Sequence, residues 1–307
     1  MNKNVFEDEI LESNAVLQTL SDTLYLNKGI RVSMLRLDRI HPFISGNKWF
    51  KLRFHLEKYH TGTWKGIITA GGAFSNHLHA TAFAGKLAGI PTAALIRGEE
   101  PASYSPTLQD LKDLGMQLHF LDRESYANSS TQKEIVDTLF KDYYFIPEGG
   151  FSEEGLQGAS TILTQYNLQS FSHLACAAGT GTMMAGLLRT AEAHQHIIGI
   201  PVLKISNEED NSLVNLMKQQ TTKSTFSLHY HFHQGGYAKK NDVLVAFMNQ
   251  FFQQHQIPLD VVYTAKLLKG LETMIAEDYF PKGANICILH SGGLQGNRSF
   301  NKGDLIF

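Results

Sequence analysis

The chain of 307 residues is poor in several things, and each shortage narrows what it can be. It has two cysteines, Cys176 and Cys287, and both sit within apolar runs. That excludes a disulfide framework and reads as two buried free thiols of a reducing compartment. A net charge of −2, from 18% charged residues, removes the electrostatic case for nucleic acid or an anionic membrane. No apolar run approaches the roughly 20 residues of a membrane-spanning helix. The start, Met1-Asn2-Lys3-Asn4 leading into Glu7, Asp8 and Glu9, is polar and acidic, unlike a secretion signal. The expectation is a soluble cytoplasmic protein.

Several catalytic signatures are missing too. No Gly-x-Ser-x-Gly elbow supports a serine hydrolase, and no His-Glu-x-x-His or Cys-x-x-Cys supports a metal site. Asp and Glu are scattered, with no pair to anchor a glycosidase. Internal repeats, low-complexity tracts and Pro/Ser-rich linkers are absent, so any division into two domains is discontinuous or tightly packed.

What the chain does have is a sizeable apolar fraction, 43%, arranged as alternating strand and helix patterns. From residue 66 onward the strand candidates are 66–70, 92–96, 117–121, 143–146, 173–177, 197–204, 227–233 and 285–290. Helical patterns cover 78–88, 107–114, 156–166, 183–193, 212–220, 243–254 and 263–279. This alternation predicts an α/β fold with doubly wound, mainly parallel sheets. Continuously apolar strands fit sheets covered on both faces.

The chemistry gathers at a few short stretches. In Ser45-Gly46-Asn47-Lys48-Trp49-Phe50-Lys51, Asn47 is a candidate N-cap that places Lys48 in a first helical turn. A cation is disfavoured at that end of a helix, and a desolvated amine can join a carbonyl as a Schiff base. A solvated surface lysine is the competing reading. Gly179-Thr180-Gly181-Thr182 follows an apolar strand and opens a helix, so its amides and hydroxyls suit a phosphate. A plain tight turn would explain it equally. Gly71-Gly72 with Ser75-Asn76-His77 has the same design, suited to a carboxylate or to ordinary capping. His290-Ser291-Gly292-Gly293 is a third such place. All three lie beyond the carboxyl ends of strands, where open α/β sheets collect ligands. Among 14 histidines, His229, His231 and His233 alternate as if on one strand face. An exposed strand face or edge is favoured over a metal site there.

A lysine at a helix start, a phosphate-type loop, a carboxylate-type cap and a late serine together suggest pyridoxal phosphate. In this order and spacing they resemble the 1-aminocyclopropane-1-carboxylate (ACC) deaminase / D-cysteine desulfhydrase family of fold-type-II, tryptophan-synthase-β-like enzymes. Pro147-Glu148-Gly149-Gly150, Gly235-Gly236-Tyr237 and Val262-Tyr263 extend the likeness, which runs from about residue 45 to 297. The resemblance implies that Lys48 holds pyridoxal phosphate covalently, with Lys51 a second lysine lacking that role. It places Asn76 beside the cofactor ring, Gly179, Thr180, Gly181 and Thr182 around the phosphate, and Ser291 in the cofactor site. Ser75, with Asn76 and His77, takes the substrate carboxylate, and Tyr237 and Tyr263 stand over the substrate. Lys48, Tyr263, Tyr237 and Ser75 are the catalytic candidates, and no metal is expected. The implied architecture is two doubly wound open sheets, in a small domain of residues 51–158 and a large one of residues 1–50 and 159–307. A homodimer is implied as well.

Two departures bear on the substrate. Where ACC deaminases proper carry glutamate and leucine, this chain has Thr264 and Ser291, as in the desulfhydrase branch. A carboxylate beside the pyridine nitrogen favours its protonation, whereas a hydroxyl supports the cation less. Opening the cyclopropane of ACC should suffer more from that loss than β-elimination from D-cysteine. The expectation is a lyase converting D-cysteine to pyruvate, hydrogen sulfide and ammonia. The alternatives are ACC deaminase, a C–N hydrolase giving 2-oxobutyrate and ammonia, and a pyridoxal-phosphate carrier or sensor.

Overall fold

The computed structural model describes residues 4–205 and 211–307. Met1, Asn2 and Lys3 of the acidic start lie outside the described residues. Ten strands form two sheets among them. In chain order the strands are β1 (Leu17–Leu20), β2 (Arg31–Leu35), β3 (Gly66–Gly72), β4 (Thr92–Arg97) and β5 (Gln117–Leu121). They continue with β6 (Tyr143–Ile146), β7 (His173–Ala178), β8 (His196–Pro201), β9 (Thr225–Leu228) and β10 (Asn285–Leu289).

The larger sheet runs β1-β2-β10-β7-β8-β9, parallel except for the antiparallel β1–β2 pair. The smaller runs β5-β4-β3-β6, all parallel. Both are α/β sheets flanked by helices. Alternate side chains of the central strands enter different cores. Ala175 and Ala177, Ile198 and Ile200, and Ile286 and Ile288 join one cluster, while Leu174, Cys176, Ile197 and Cys287 join another. Two covered faces explain why these strands read as unbroken apolar runs. Burying each such isoleucine contributes about 1.5–3 kcal/mol. The smaller sheet draws its strands from between residues 66 and 146, the larger from both flanks.

Several expectations need correction. The pair β1 and β2 precedes residue 66, where no strand was expected. The strand expected over 197–204 ends at Pro201. The one expected over 227–233 is β9, ending at Leu228, and Tyr230–Phe232 is a 3-10 turn. His229, His231 and His233 therefore share no strand face. His229 Nε2 pairs with Ser227 Oγ at 2.9 Å, His231 packs on Phe232, and His233 Nδ1 accepts from Gly235 N–H at 2.9 Å. The helix expected over 263–279 is Thr264–Ala276, and helices Arg123–Ala127 and Ser129–Leu139 lie where none was read. Among the described residues no helix is long and apolar enough to cross a membrane.

Candidate active site

The carboxyl ends of β3, β7 and β10 open on one cavity of about 370 Å³, within the range of small-molecule sites. Close backbone contacts hold it together. The helix Asn47–Thr61 starts at Gly46, which lies at φ 65°, and a Cβ there would meet the Ser291 carbonyl oxygen at 2.0 Å. Asn47 N–H donates to that same carbonyl at 3.3 Å. The side chain of Asn47 does not cap the helix as expected. Its Oδ1 instead accepts from Lys48 Nζ at 2.7 Å, one residue inside the helix.

Lys48 is thus in the first helical turn, 8% exposed, with its amine 5.7 Å from the centre of the Tyr263 ring. Burial lowers its pKa from 10.5 to about 8, against the opposing pull of the Asp260 carboxylate. Lys51, one turn on, lines the same cavity, and burial together with the Lys48 charge holds it well below 10.5. No carboxylate pairs with Lys51 among the described residues.

The helix Asn76–Ala88 begins directly after β3. Ser75 caps it, its Oγ accepting from Leu78 N–H at 3.3 Å, and Gly71 leaves room for that hydroxyl. Asn76 Oδ1 accepts from Gln295 Nε2, and Gly293, at φ 100°, lets the loop after β10 approach the Asn76 amide. His77 is 2% exposed; its Nε2 pairs with Thr69 Oγ1 at 2.8 Å, while Nδ1 is buried without a hydrogen-bond partner. Burial, then Lys48 and Lys51, keep this histidine neutral by lowering its pKa well below 6.5.

After β7, Gly179-Thr180-Gly181 borders the cavity and leads into the helix Thr182–Thr190. Thr180 Oγ1 and Thr182 Oγ1 pair at 2.8 Å. No side chain caps this helix, so its first amides are available to an anion. Opposite, Asp260 organises the start of the helix Thr264–Ala276. Its Oδ2 accepts from Val262 N–H at 3.0 Å and Tyr263 N–H at 2.9 Å. Its Oδ1 accepts from Thr264 N–H at 2.8 Å and Thr264 Oγ1 at 2.7 Å. Tyr263 is held in this way beside Tyr237, their rings perpendicular with centroids 6.4 Å apart. Burial first, then Tyr237, pushes the Tyr263 phenol well above 10, so it stays a proton donor.

The structure gathers most of the expected residues. Lys48, Ser75, Asn76 and His77 line the cavity from one side, and Gly179, Thr180, Gly181, Tyr237, Tyr263 and Ser291 complete it. Thr182 does not line it and touches the site through Thr180. Thr264 does not line it either, and its hydroxyl is bound to Asp260. Lining residues to which the sequence gave no role include Arg97, at the end of β4, and Phe151. Asp260 was also missed, although Asp260 and Thr264, four residues apart, carry a capping signal.

The donor set fits pyridoxal phosphate. A buried amine is available to an aldehyde, and an uncapped helix start behind a glycine loop, with Lys51 near, is available to a phosphate. Ser291 supplies a hydroxyl at the third strand end, and the buried, unpaired Nδ1 of His77 adds a polar atom to the lining.

Comparison with known proteins agrees. The family model described as pyridoxal-phosphate dependent enzyme matches residues 21–292. A Thermotoga maritima protein provisionally named ACC deaminase is 26% identical over 286 residues, 87% of this chain and 90% of that protein. A mitochondrial Arabidopsis thaliana protein is named bifunctional D-cysteine desulfhydrase/ACC deaminase. It is 26% identical over 304 residues, 88% of this chain and 74% of that protein. The crystal structure of an ACC deaminase homologue superimposes with a TM-score of 0.79 at 24% identity, covering 97% of both chains. The two-sheet architecture is thus the fold-type-II one. The chain belongs to the pyridoxal-phosphate dependent enzyme family, is similar over most of its length to proteins named for ACC deaminase and D-cysteine desulfhydrase, and takes pyridoxal phosphate as its cofactor.

Proposed function

We propose that the protein is a β-eliminating lyase that converts D-cysteine, or a similarly small D-amino acid, to pyruvate, hydrogen sulfide and ammonia. The observation that carries this reading is the pairing of the buried Lys48 amine with Ser291 in one cavity, where Thr264 contributes nothing. With no carboxylate at that place and a hydroxyl on Ser291, the site suits a reaction that needs only Cα deprotonation and a good leaving group.

Lys48 would hold the cofactor's aldehyde end, the Gly179–Thr182 loop and Lys51 its phosphate, and Ser291 its ring nitrogen. Asn76 would stand beside the ring. Bound there, pyridoxal phosphate supplies an electron sink for the pair left at Cα. Ser75 Oγ and the amides of Asn76 and His77 receive the substrate carboxylate at a helix start. Lys48 removes the α-proton, a task for which an amine lowered to about 8 is well matched. The Cβ–S bond then breaks, with its electrons leaving on sulfur, and the released 2-aminoacrylate takes up water to give pyruvate and ammonia. Tyr263, kept protonated by burial, can donate to that sulfur while Tyr237 orients the substrate.

A second reading, ACC deaminase releasing 2-oxobutyrate and ammonia, is favoured by Tyr263, which faces Lys48 and stacks edgewise on Tyr237, and by the relatives' names. A cytoplasmic homodimer remains part of the proposal, supported by the resemblance and by two buried thiols. The loaded enzyme is to be offered D-cysteine, L-cysteine and ACC in parallel. Sulfide from the D isomer with little 2-oxobutyrate from ACC supports the lyase, and turnover of ACC alone overturns it.

A further inference from the structure

The helix Thr264–Ala276 is buried along Thr264, Ala265, Lys266, Leu267 and Leu268. Lys266 stands out there, because it is 0% exposed. A buried ammonium is costly unless it is paired and hydrogen-bonded, so an apolar residue would be the cheaper choice for packing alone. Among the described residues its amine donates to the Gly236 carbonyl at 2.5 Å. Burial lowers the amine to about 8, with the Asp260 carboxylate opposing.

The segment it reaches is strained. Gln234, Gly235, Gly236 and Ala238 lie at φ 51°, 89°, 107° and 54°. Left-handed conformations are disfavoured for the two non-glycines, and a run of them persists only where the surroundings impose it. Inside the turn, Gly235 N–H donates to His233 Nδ1, Gly236 N–H to His233 O at 3.1 Å, and Lys239 N–H to Gly236 O at 3.2 Å. These bonds close the turn on itself without fixing it to the rest of the molecule. The residue between Gly236 and Ala238 is Tyr237, which lines the cavity and faces Tyr263.

We propose that Lys266 is the positioning residue for Tyr237, its buried amine clamping the Gly236 carbonyl so that the strained turn holds the ring over the cavity. One helix then sets both tyrosines: Asp260, just before its start, fixes Tyr263, and Lys266, in its first turn, fixes the Tyr237 turn. The clamp rests on the proposed function only in giving Tyr237 a part in the reaction.

Amide hydrogen exchange on the cofactor-loaded protein tests the clamp independently of any substrate. In Lys266→Met, amides of residues 234–239 should exchange at least about tenfold faster, while those of 264–276 keep their rates. Lys266→Arg, which keeps a cationic donor, should restore most of the protection. In any assay the enzyme supports, Lys266→Met should cost much less in a Tyr237→Phe background than in wild type, because the two act through one ring. Unchanged exchange at 234–239 overturns the proposal. So does equal loosening of the turn and the helix, or full additivity with Tyr237→Phe. Should Lys266→Met not fold, Lys266→Arg decides: protected turn amides support the clamp, and a loosened turn on an intact helix overturns it.

Discussion

Lys48 Nζ stands 5.7 Å from the centre of the Tyr263 ring, and two unrelated backbone devices bring the pair together. Gly46, at φ 65°, lets the Lys48 helix begin against the Ser291 carbonyl, and Asp260 collects four hydrogen-bond donors to seat Tyr263. Amine and phenol are both pushed by burial toward their neutral forms. That is the state in which one can take a proton and the other can give one.

The first prediction concerns Gly46. Gly46→Ala adds a Cβ 2.0 Å from a backbone oxygen, at a φ that side chains rarely adopt. Backbone must shift, costing about 1–3 kcal/mol. The expected result is a lower melting temperature together with weakened cofactor retention, read from the cofactor's absorbance after dialysis. Gly89→Ala is a control, because φ there is 67° but nothing lies within 4 Å of the new Cβ. It should lower stability while leaving cofactor retention unchanged.

The second concerns pH and the apoprotein. The Lys48 pKa falls from 10.5 to about 8 on folding, so between those values the unfolded chain binds more protons than the folded one. Stability contributed by this group is therefore lowest below about pH 8 and is recovered as pH rises toward 10.5. Denaturant midpoints of wild type minus Lys48→Met should accordingly grow more favourable to wild type from pH 7.5 to 9.5. A flat difference would mean that Lys48 is solvated. Only the neutral amine attacks an aldehyde, so the rate of cofactor capture by the apoprotein should rise over the same range.

Much of this was legible in the sequence. Strands β3, β4, β7 and β10 announce themselves because they are covered on both faces and carry no polar alternation. The glycine turns after β3, β7 and β10 fall at strand ends, and those ends converge. What was not legible depends on distance across the fold. Leu17-Gln18-Thr19-Leu20 is a short edge strand that pairs only with β2, and its sequence gives little periodicity. Asn47 reads as a cap, yet Gly46 takes that position because the chain must press against Ser291. Thr264 reads as a cofactor neighbour, but its hydroxyl is taken by Asp260. Lys266 drew no reading from the sequence, and its burial shows only once the helix around it is placed.

A third prediction concerns the thiols. Burial pushes both Cys176 and Cys287 up to about 12, and both are fully enclosed. Neither should react with a thiol reagent at pH 8 in the native protein, while both react promptly in denaturant. Rapid labelling of the folded protein would show that the sheet bearing them opens.

The fourth concerns Ser75. Ser75→Ala removes a helix cap, worth about 1 kcal/mol, and a hydroxyl from the carboxylate site. The substrate's KM should rise by about tenfold, roughly the effect of one lost hydrogen bond to a charged group, with a small fall in melting temperature. Ser75→Thr should restore the cap and part of the affinity. An unchanged KM would move the carboxylate site away from this helix start.

The central claim is that Lys48 is the lysine that holds the cofactor. Borohydride reduction of the loaded protein makes that linkage permanent, and digestion followed by mass spectrometry locates it. The account predicts the reduced pyridoxyl group on Lys48, with none on Lys51 or Lys266, and its loss from that peptide in Lys48→Ala. Stoichiometric labelling of Lys51, or of a lysine outside the cavity, would contradict it.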